Sequence, residues 1–188
     1  INSKLTELPI RLSELPEVRD VEISGNEIAE FPKELAEKWQ KVVSLRMNDT
    51  KLTSLPENIF GMKKVSTFDF CDNQGLSNLP KYRGDNTYMG GLFLDNCSFT
   101  SIPEIANTRM RTLSLANNKI TSVSQEVVNG LSDQLLTLIL DDNKINSFPQ
   151  MASSSLIELS LDNCGLTAIP DLSKLPELCV LSLIVIKY

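Results

Sequence analysis

The 188-residue chain contains no histidine. That removes the commonest general base, the histidine-activated serine and cysteine nucleophiles, and every imidazole metal ligand. Most hydrolytic mechanisms fall with it. Aromatic residues make up only 6% of the chain, with a single tryptophan, so a core must be built from aliphatic side chains, and leucine alone supplies 28 positions. No stretch approaches ~18 consecutive apolar residues, so no membrane-spanning helix is encoded. Basic residues are in deficit: 18 Lys and Arg face 24 Asp and Glu, a formal charge of -6. Nucleic-acid affinity rests on clustered cations, so this balance argues against such a partner and favours basic proteins or peptides. The opening Ile1-Asn2-Ser3-Lys4 holds neither a starting methionine nor a charged-then-apolar leader, so a piece of a longer chain is expected.

What is present is a repeat. Aliphatic residues at positions 1, 4 and 6, a small polar residue at 9 and aliphatic residues at 11 and 14 recur in eight registers. These begin at Val18, Val42, Val65, Met89, Met110, Leu135, Leu156 and Leu178, in steps of 21 to 25 residues. Leu135, Leu138, Leu140, Asn143, Ile145 and Phe148, followed by Pro149, form the most regular unit. Val18, Val21, Ile23, Asn26, Ile28 and Phe31 with Pro32 match it. Thr50, Cys97 and Cys164 replace the asparagine, and the third unit carries one extra residue between Asn73 and Leu76. Leu5, Leu8 and Pro9 read as the second half of a unit, and Leu178 to Ile186 as a first half, so truncation at both ends is expected.

The pattern LxxLxLxx(N/C/T)xLxxLP resembles the leucine-rich repeat family over essentially the whole chain. The resemblance implies an α/β solenoid with a right-handed superhelix. It would have a parallel concave sheet of about eight strands and a convex side of irregular, 3₁₀ or short helical segments, all in one domain spanning 1–188. The physics agrees. Alternation at positions 4 and 6 is strand periodicity, and a single unit cannot bury its apolar face, so stacked neighbours must make the core. An Asn, Cys or Thr at position 9 can satisfy backbone groups where the chain turns inward. With strands ~4.8 Å apart, eight of them give a sheet roughly 34 Å long. On the return side, Lys33 to Gln40 and Ser124 to Leu131 have the length for helical turns. Pro80 to Tyr88 reads as a polar loop and Ile102 to Ile105 as 3₁₀ or extended chain.

In this family ligands usually lie on the concave sheet, towards which positions 2, 3, 5, 7 and 8 point. Those positions hold ten acids (Asp20, Glu22, Asp49, Asp69, Asp72, Asp95, Asp141, Asp142, Glu158 and Asp162) and three bases (Arg19, Arg46 and Arg111), leaving seven net negative charges. Asp49, Asp72, Asp95, Asp141, Asp142 and Asp162 sit at positions 7 and 8, where Asp and Asn also suit the turn after the strand. Asp20, Glu22, Asp69 and Glu158 lie mid-sheet without that structural reason, which points to a selected acidic field. Phe93 and Ile139 occupy position 5, with Leu136 and Ile157 nearby at position 2. An aromatic ringed by carboxylates has the makeup of an interface centre with a polar rim. The expected site is therefore Asp69, Phe93, Asp95, Arg111, Ile139, Asp141, Asp142, Glu158 and Asp162. The expected occupant is a protein or peptide, basic with an apolar element. The hydrophobic outward positions Cys179, Val180, Ile184 and Val185 of the last unit are expected to be covered by further sequence or a neighbouring chain.

The four cysteines form no disulfide framework. Cys97 and Cys164 share position 9 three units apart, roughly 15 Å by strand spacing, against the ~7 Å that a bridge allows. Four unpaired thiols fit a reducing compartment, although an extracellular receptor segment without its cysteine-rich caps would carry the same set. Asp141, Asp142 and Asp162 offer too few oxygens for calcium, which takes about six to eight, so no metal and no cofactor is expected. Sequons at Asn48-Asp49-Thr50 and Asn96-Cys97-Ser98 match the number that composition alone yields. The expectation is a binding module without catalytic residues. Its alternative is the sensing region of a larger receptor or receptor-like kinase whose catalytic domain, with other additional domains at both ends, lies outside these residues.

Overall fold

The computed structural model describes residues 4–84, 86–105, 109–131 and 133–185. Eight three-residue strands form one parallel sheet in strict chain order: β1 (Asp20–Glu22), β2 (Ser44–Arg46), β3 (Thr67–Asp69), β4 (Gly91–Phe93), β5 (Thr112–Ser114), β6 (Thr137–Ile139), β7 (Glu158–Ser160) and β8 (Val180–Ser182). The register is uniform. Position 4 of each unit pairs with position 4 of the next, from Val21 and Leu45 through Phe68, Leu92, Leu113, Leu138 and Leu159 to Leu181. Those side chains point into the solenoid, where Leu45, Phe68, Leu92, Leu113, Leu138 and Leu159 are fully buried. Taking these side chains out of water, at about 25 cal/mol per Å² of apolar surface, drives the stacking.

Position 9 closes the turn. The Asn143 side-chain amide donates to the carbonyls of Leu140 in its own unit and Leu115 in the preceding one, both at 2.9 Å, while its Oδ1 accepts the Ile120 N–H at 3.0 Å. Asn118 and Asn73 repeat this pattern one and three units earlier. Leu5 stands to Asn26 as Phe99 stands to Asn118, its N–H donating to the amide oxygen at 2.9 Å. At the variant positions the Cys97 and Cys164 thiols lie against the carbonyls of Phe70 and Leu140, at 3.3 and 3.1 Å, and supply the donor half of the asparagine's work.

The convex side varies as its lengths require. The α-helix α1 spans Lys33–Lys38, two residues shorter than the sequence suggests, because Trp39 leaves the helix and its indole N–H donates to the Leu12 carbonyl at 3.0 Å. The helix α2 spans Gln125–Asn129 and is capped by the Ser124 hydroxyl, which accepts the Val127 N–H at 3.2 Å. Short 3₁₀ turns occupy Ile10–Glu14 and Ile59–Gly61. The segment from Pro80 to Tyr88 is more than a polar loop. Tyr82 is buried edge-on against Phe60, with centroids 5.8 Å apart, and buried Asn86 donates to the carbonyls of Met62 and Val65. A missing strand-length of apolar residues is thus replaced by one aromatic and one amide.

Candidate functional site on the concave face

Three residues beyond the end of each of β1 to β7 the backbone takes a left-handed residue, at position 8 of the unit. The φ angles are 74° at Gly25, 49° at Asp49, 61° at Asp72, 55° at Asn96, 52° at Asn117, 55° at Asp142 and 54° at Asn163. Only Gly, Asn and Asp enter this region readily. Asp49, Asp72 and Asp142 therefore have a backbone reason to be present, and the side chains at this position chain together. Asn96 donates to Asp72 at 2.7 Å, Asn117 to Asn96 at 2.6 Å, and Asn163 to Asp142 at 3.1 Å.

Position 7 has a different task. Asp95 Oδ1 accepts the N–H of Ala116 at 2.8 Å, Asp141 Oδ1 that of Asp162 at 2.9 Å, and Asp162 Oδ1 that of Ile184 at 2.7 Å. Each carboxylate reaches the position-7 amide of the next unit and prolongs the ladder where the main chains part. Ser24 does the same for Asn48 through its hydroxyl, at 2.9 Å. Ser114 and Ser182, at position 5, add hydroxyl donors to Asp95 and Asp162, each at 2.6 Å. Asp141, Asp142 and Asp162 thus direct one oxygen each at neighbouring donors of the solenoid. Among the described residues no group of three or more His, Cys, Asp or Glu side chains is arranged to hold a metal ion.

Burial raises the pKa of Asp95, the Ser114 and Ala116 donors oppose the rise, and the carboxylates of Asp69 and Asp141 push it further up. Asp95 of unit four thus feels the acids of units three and six across the face. Among the described residues the two ion pairs join Lys41 to Glu17 and Arg46 to Glu22, the latter at 4.0 Å. None involves Asp69, Asp95, Asp141, Asp142, Glu158 or Asp162.

Phe93 sits between Asp69 and Ser114 in the sheet register, and Ile139 beyond Ser114. Both are half-buried. Phe93 is less open than its sequence position suggests, because its ring folds back over Gly91, where a β-carbon would come within 2.8 Å of Cε2. Gly90 precedes it, so positions 2 and 3 of the fourth unit carry no side chain. This dip beside the aromatic was missed by counting charges, yet the Gly90-Gly91 pair is its signal in the sequence. Arg111 is exposed at position 2 of the next unit, and Glu158 is half-buried with Thr137 as its hydroxyl donor at 3.4 Å.

Three of the four thiols, Cys71, Cys97 and Cys164, are unreactive by environment. Burial pushes Cys97 and Cys164 up to about 11. Cys71, at position 7 beside Asp69, is raised as well, first by burial and then by the hydrogen bond and charge of that carboxylate. Cys179 is exposed on the concave side.

No protein-family model matches the chain. Keratocan of Mus musculus is 33% identical over 135 residues, a match covering 68% of this chain and 37% of keratocan. The chain thus spans little more than a third of that relative's length. Leucine-rich repeat-containing protein 3B of Homo sapiens is 34% identical over 89 residues, covering 46% of this chain and 34% of that protein. Among solved structures, a leucine-rich repeat protein of Leptospira interrogans superposes with a TM-score of 0.64 at 23% identity, over 97% of this chain and 58% of the other. The leucine-rich repeat domain of the type III effector XopL gives 0.70 at 16% identity, over 97% and 73%. The in-phase units, the uniform parallel register and these relatives converge: the chain is a leucine-rich repeat protein.

Proposed function

We propose that the concave face binds a protein or peptide that is basic and carries an apolar element, over the units from Asp69 to Asp162. The observation that carries this reading is the row of carboxylates around Phe93 and Ile139 with no Lys or Arg ion pair among the described residues. A solenoid gains nothing for its own stability from like charges placed side by side, whereas a cationic partner would be steered to them. Phe93, seated over Gly91, supplies the aromatic surface from which interface centres are commonly built. Asp69, Asp95, Asp141, Asp142, Glu158 and Asp162 supply the field, and Arg111 and Ile139 the contacts between. The reading involves no metal, cofactor or nucleic acid, and proteins of this family are generally non-catalytic binding modules.

The test is affinity capture with the isolated domain at low and high salt, repeated with Phe93→Ala plus Ile139→Ser. A partner held at low salt, released at high salt and weakened by the double substitution supports the reading. Binding of the same partner that ignores both salt and the double substitution sinks it.

A second reading makes this solenoid the sensing part of a larger receptor or receptor-like kinase, with further domains at its ends. It draws on the 37% share of keratocan and the 9% share of Drosophila melanogaster chaoptin that the matches cover. The full-length sequence distinguishes the two.

A further inference from the structure

We infer that the occupant of units six to eight is a basic amphipathic α-helix lying across the strands, along the solenoid axis. The inference rests on the proposed binding role of the concave face and specifies what that face takes. The two margins of the sheet differ in kind here. At position 2, Leu136, Ile157 and Cys179 lie on adjacent strands, linked by the Ile157 N–H to the Leu136 carbonyl and the Cys179 N–H to the Ile157 carbonyl, both at 2.8 Å. Ile157 is 40% exposed and Val180, beside Cys179, 48%. At positions 7 and 8 the opposite margin carries Asp141 and Asp142 in unit six and Asp162 in unit seven, and gives way to Ile184 and Val185, each 60% exposed, in unit eight.

Five to six residues, three of them strand, separate the margins, at most roughly 17–20 Å. A helix ~10–12 Å across fits between them with one stripe on the aliphatic margin and basic side chains extended to the acids. The floor between them holds Thr137, Ile139, Ser160, Val180 and Ser182, and the Ser182 hydroxyl is already held by Asp162. Glu158 rises from that floor as a further cation acceptor.

The backbone decides between a helix and an extended peptide. β6 and β7 are paired on both sides, so their N–H and C=O groups are consumed within the sheet. An extended peptide laid on the face of β6 and β7 would find no main-chain partners there, since strand addition needs a free sheet edge and in these units that edge is the outer side of β8, off the face. A helix satisfies its own backbone and needs only side-chain contacts. Its ~5.4 Å pitch also runs close to the ~4.8 Å strand spacing, so successive turns meet successive units.

The experiment uses three synthetic probes of about fifteen residues. The first is a capped helical peptide with a Leu stripe flanked by Lys. The second has the same composition with two central prolines, and the third replaces the Leu stripe by Ser. Fluorescence anisotropy is read with the unaltered protein, Ile157→Ser, Asp141→Asn plus Asp162→Asn, and Glu104→Gln as a convex-side control. The asparagines keep a side-chain oxygen for the ladder. The helical probe should bind, with the proline and Ser probes at least about tenfold weaker. Ile157→Ser and the Asn pair should each weaken the helical probe several-fold, and Glu104→Gln should not. Equal binding of the proline probe overturns the helix while leaving the acidic-face reading standing. Equal loss in Glu104→Gln marks unspecific attraction and overturns the placement. Absence of binding by every probe overturns both the helix and the basic-peptide reading.

Discussion

Asp95 and Ala116 are joined across two units by a hydrogen bond of 2.8 Å from the Ala116 N–H to the Asp95 carboxylate, and the same oxygen takes the Ser114 hydroxyl. An acid that looks like part of a binding field is therefore also part of the scaffold. The two roles separate by substitution. Asp95→Asn keeps an oxygen for Ala116 and Ser114 and removes the charge, so thermal stability at neutral pH should hold or rise slightly. Asp95→Ala leaves both donors without their acceptor and should cost about 1–2 kcal/mol. Thermal or urea unfolding of the two variants checks this. Equal destabilisation by Asn and Ala would show that the carboxylate's charge, and not its acceptor, is what the scaffold needs.

The raised pKa of Asp95 fixes a direction with pH. In the folded chain, burial and the neighbouring acids disfavour ionisation. At a pH below the ordinary carboxylate range both folded and unfolded states hold the proton and no cost arises. Between the ordinary value and the raised native value the folded state binds more protons, so the contribution of this group to stability falls as pH rises and stays low above that window. Urea midpoints measured across the acid range should show this fall in the unaltered protein, and Asp95→Asn should lose it.

Asn143 is 2% exposed and bridges two carbonyls and one amide of the turn. Asn143→Ala takes the acceptor from the buried Ile120 N–H and one donor each from the Leu115 and Leu140 carbonyls, which keep Asn118 and Cys164, and should destabilise by about 1–3 kcal/mol. Asn143→Cys should cost less, since thiols at Cys97 and Cys164 already serve the equivalent carbonyls. A reversed order in denaturant titration would refute the view that position 9 acts mainly as a donor.

Gly91→Ala places a methyl group within 2.8 Å of the Phe93 ring. The ring end can swing away, so the fold should survive with a small change in melting temperature while Phe93 leaves its seat. Partner binding should change by more than stability does, and paired melting and binding measurements read the difference.

With Cys97 and Cys164 pushed up to about 11 and buried, neither is a thiolate at neutral pH. In the native protein, alkylation at pH 7.5 followed by mass mapping should label exposed Cys179 first. Cys97 and Cys164 should react only after unfolding. Rapid labelling of Cys164 in the native state would mean that the final units open readily.

Most of the fold was legible because one period of 21 to 25 residues repeats its inward positions eight times. Val42, Leu45 and Met47 announce their burial by spacing alone, and the structure buries all three completely. The reading weakened where a repeat substituted one kind of packing for another. Nothing in Pro80 to Tyr88 follows the aliphatic pattern, and Tyr82 and Asn86 became core only through contacts with Phe60 and Met62 of the preceding unit and Val65 at the start of their own. Ile169 fits the buried pattern at position 14, yet it is 79% exposed.

The concave charges divide in the same way. That acids gather on one face was readable, because alternation along a strand assigns each residue a side without any knowledge of its neighbours. What each acid does there was not. The left-handed backbone that calls for Asp49, Asp72 and Asp142 is a local property, and composition at position 8 hints at it. The bonds of Asp95, Asp141 and Asp162 reach amides 20 or more residues away, which become neighbours only when one unit stacks on the next. Sequence by itself determined the repeat, the strand register and the sign of the face. Tertiary structure alone decided which carboxylates brace the ladder, and where Phe93 rests, because both depend on distances between units that no spacing within a unit contains.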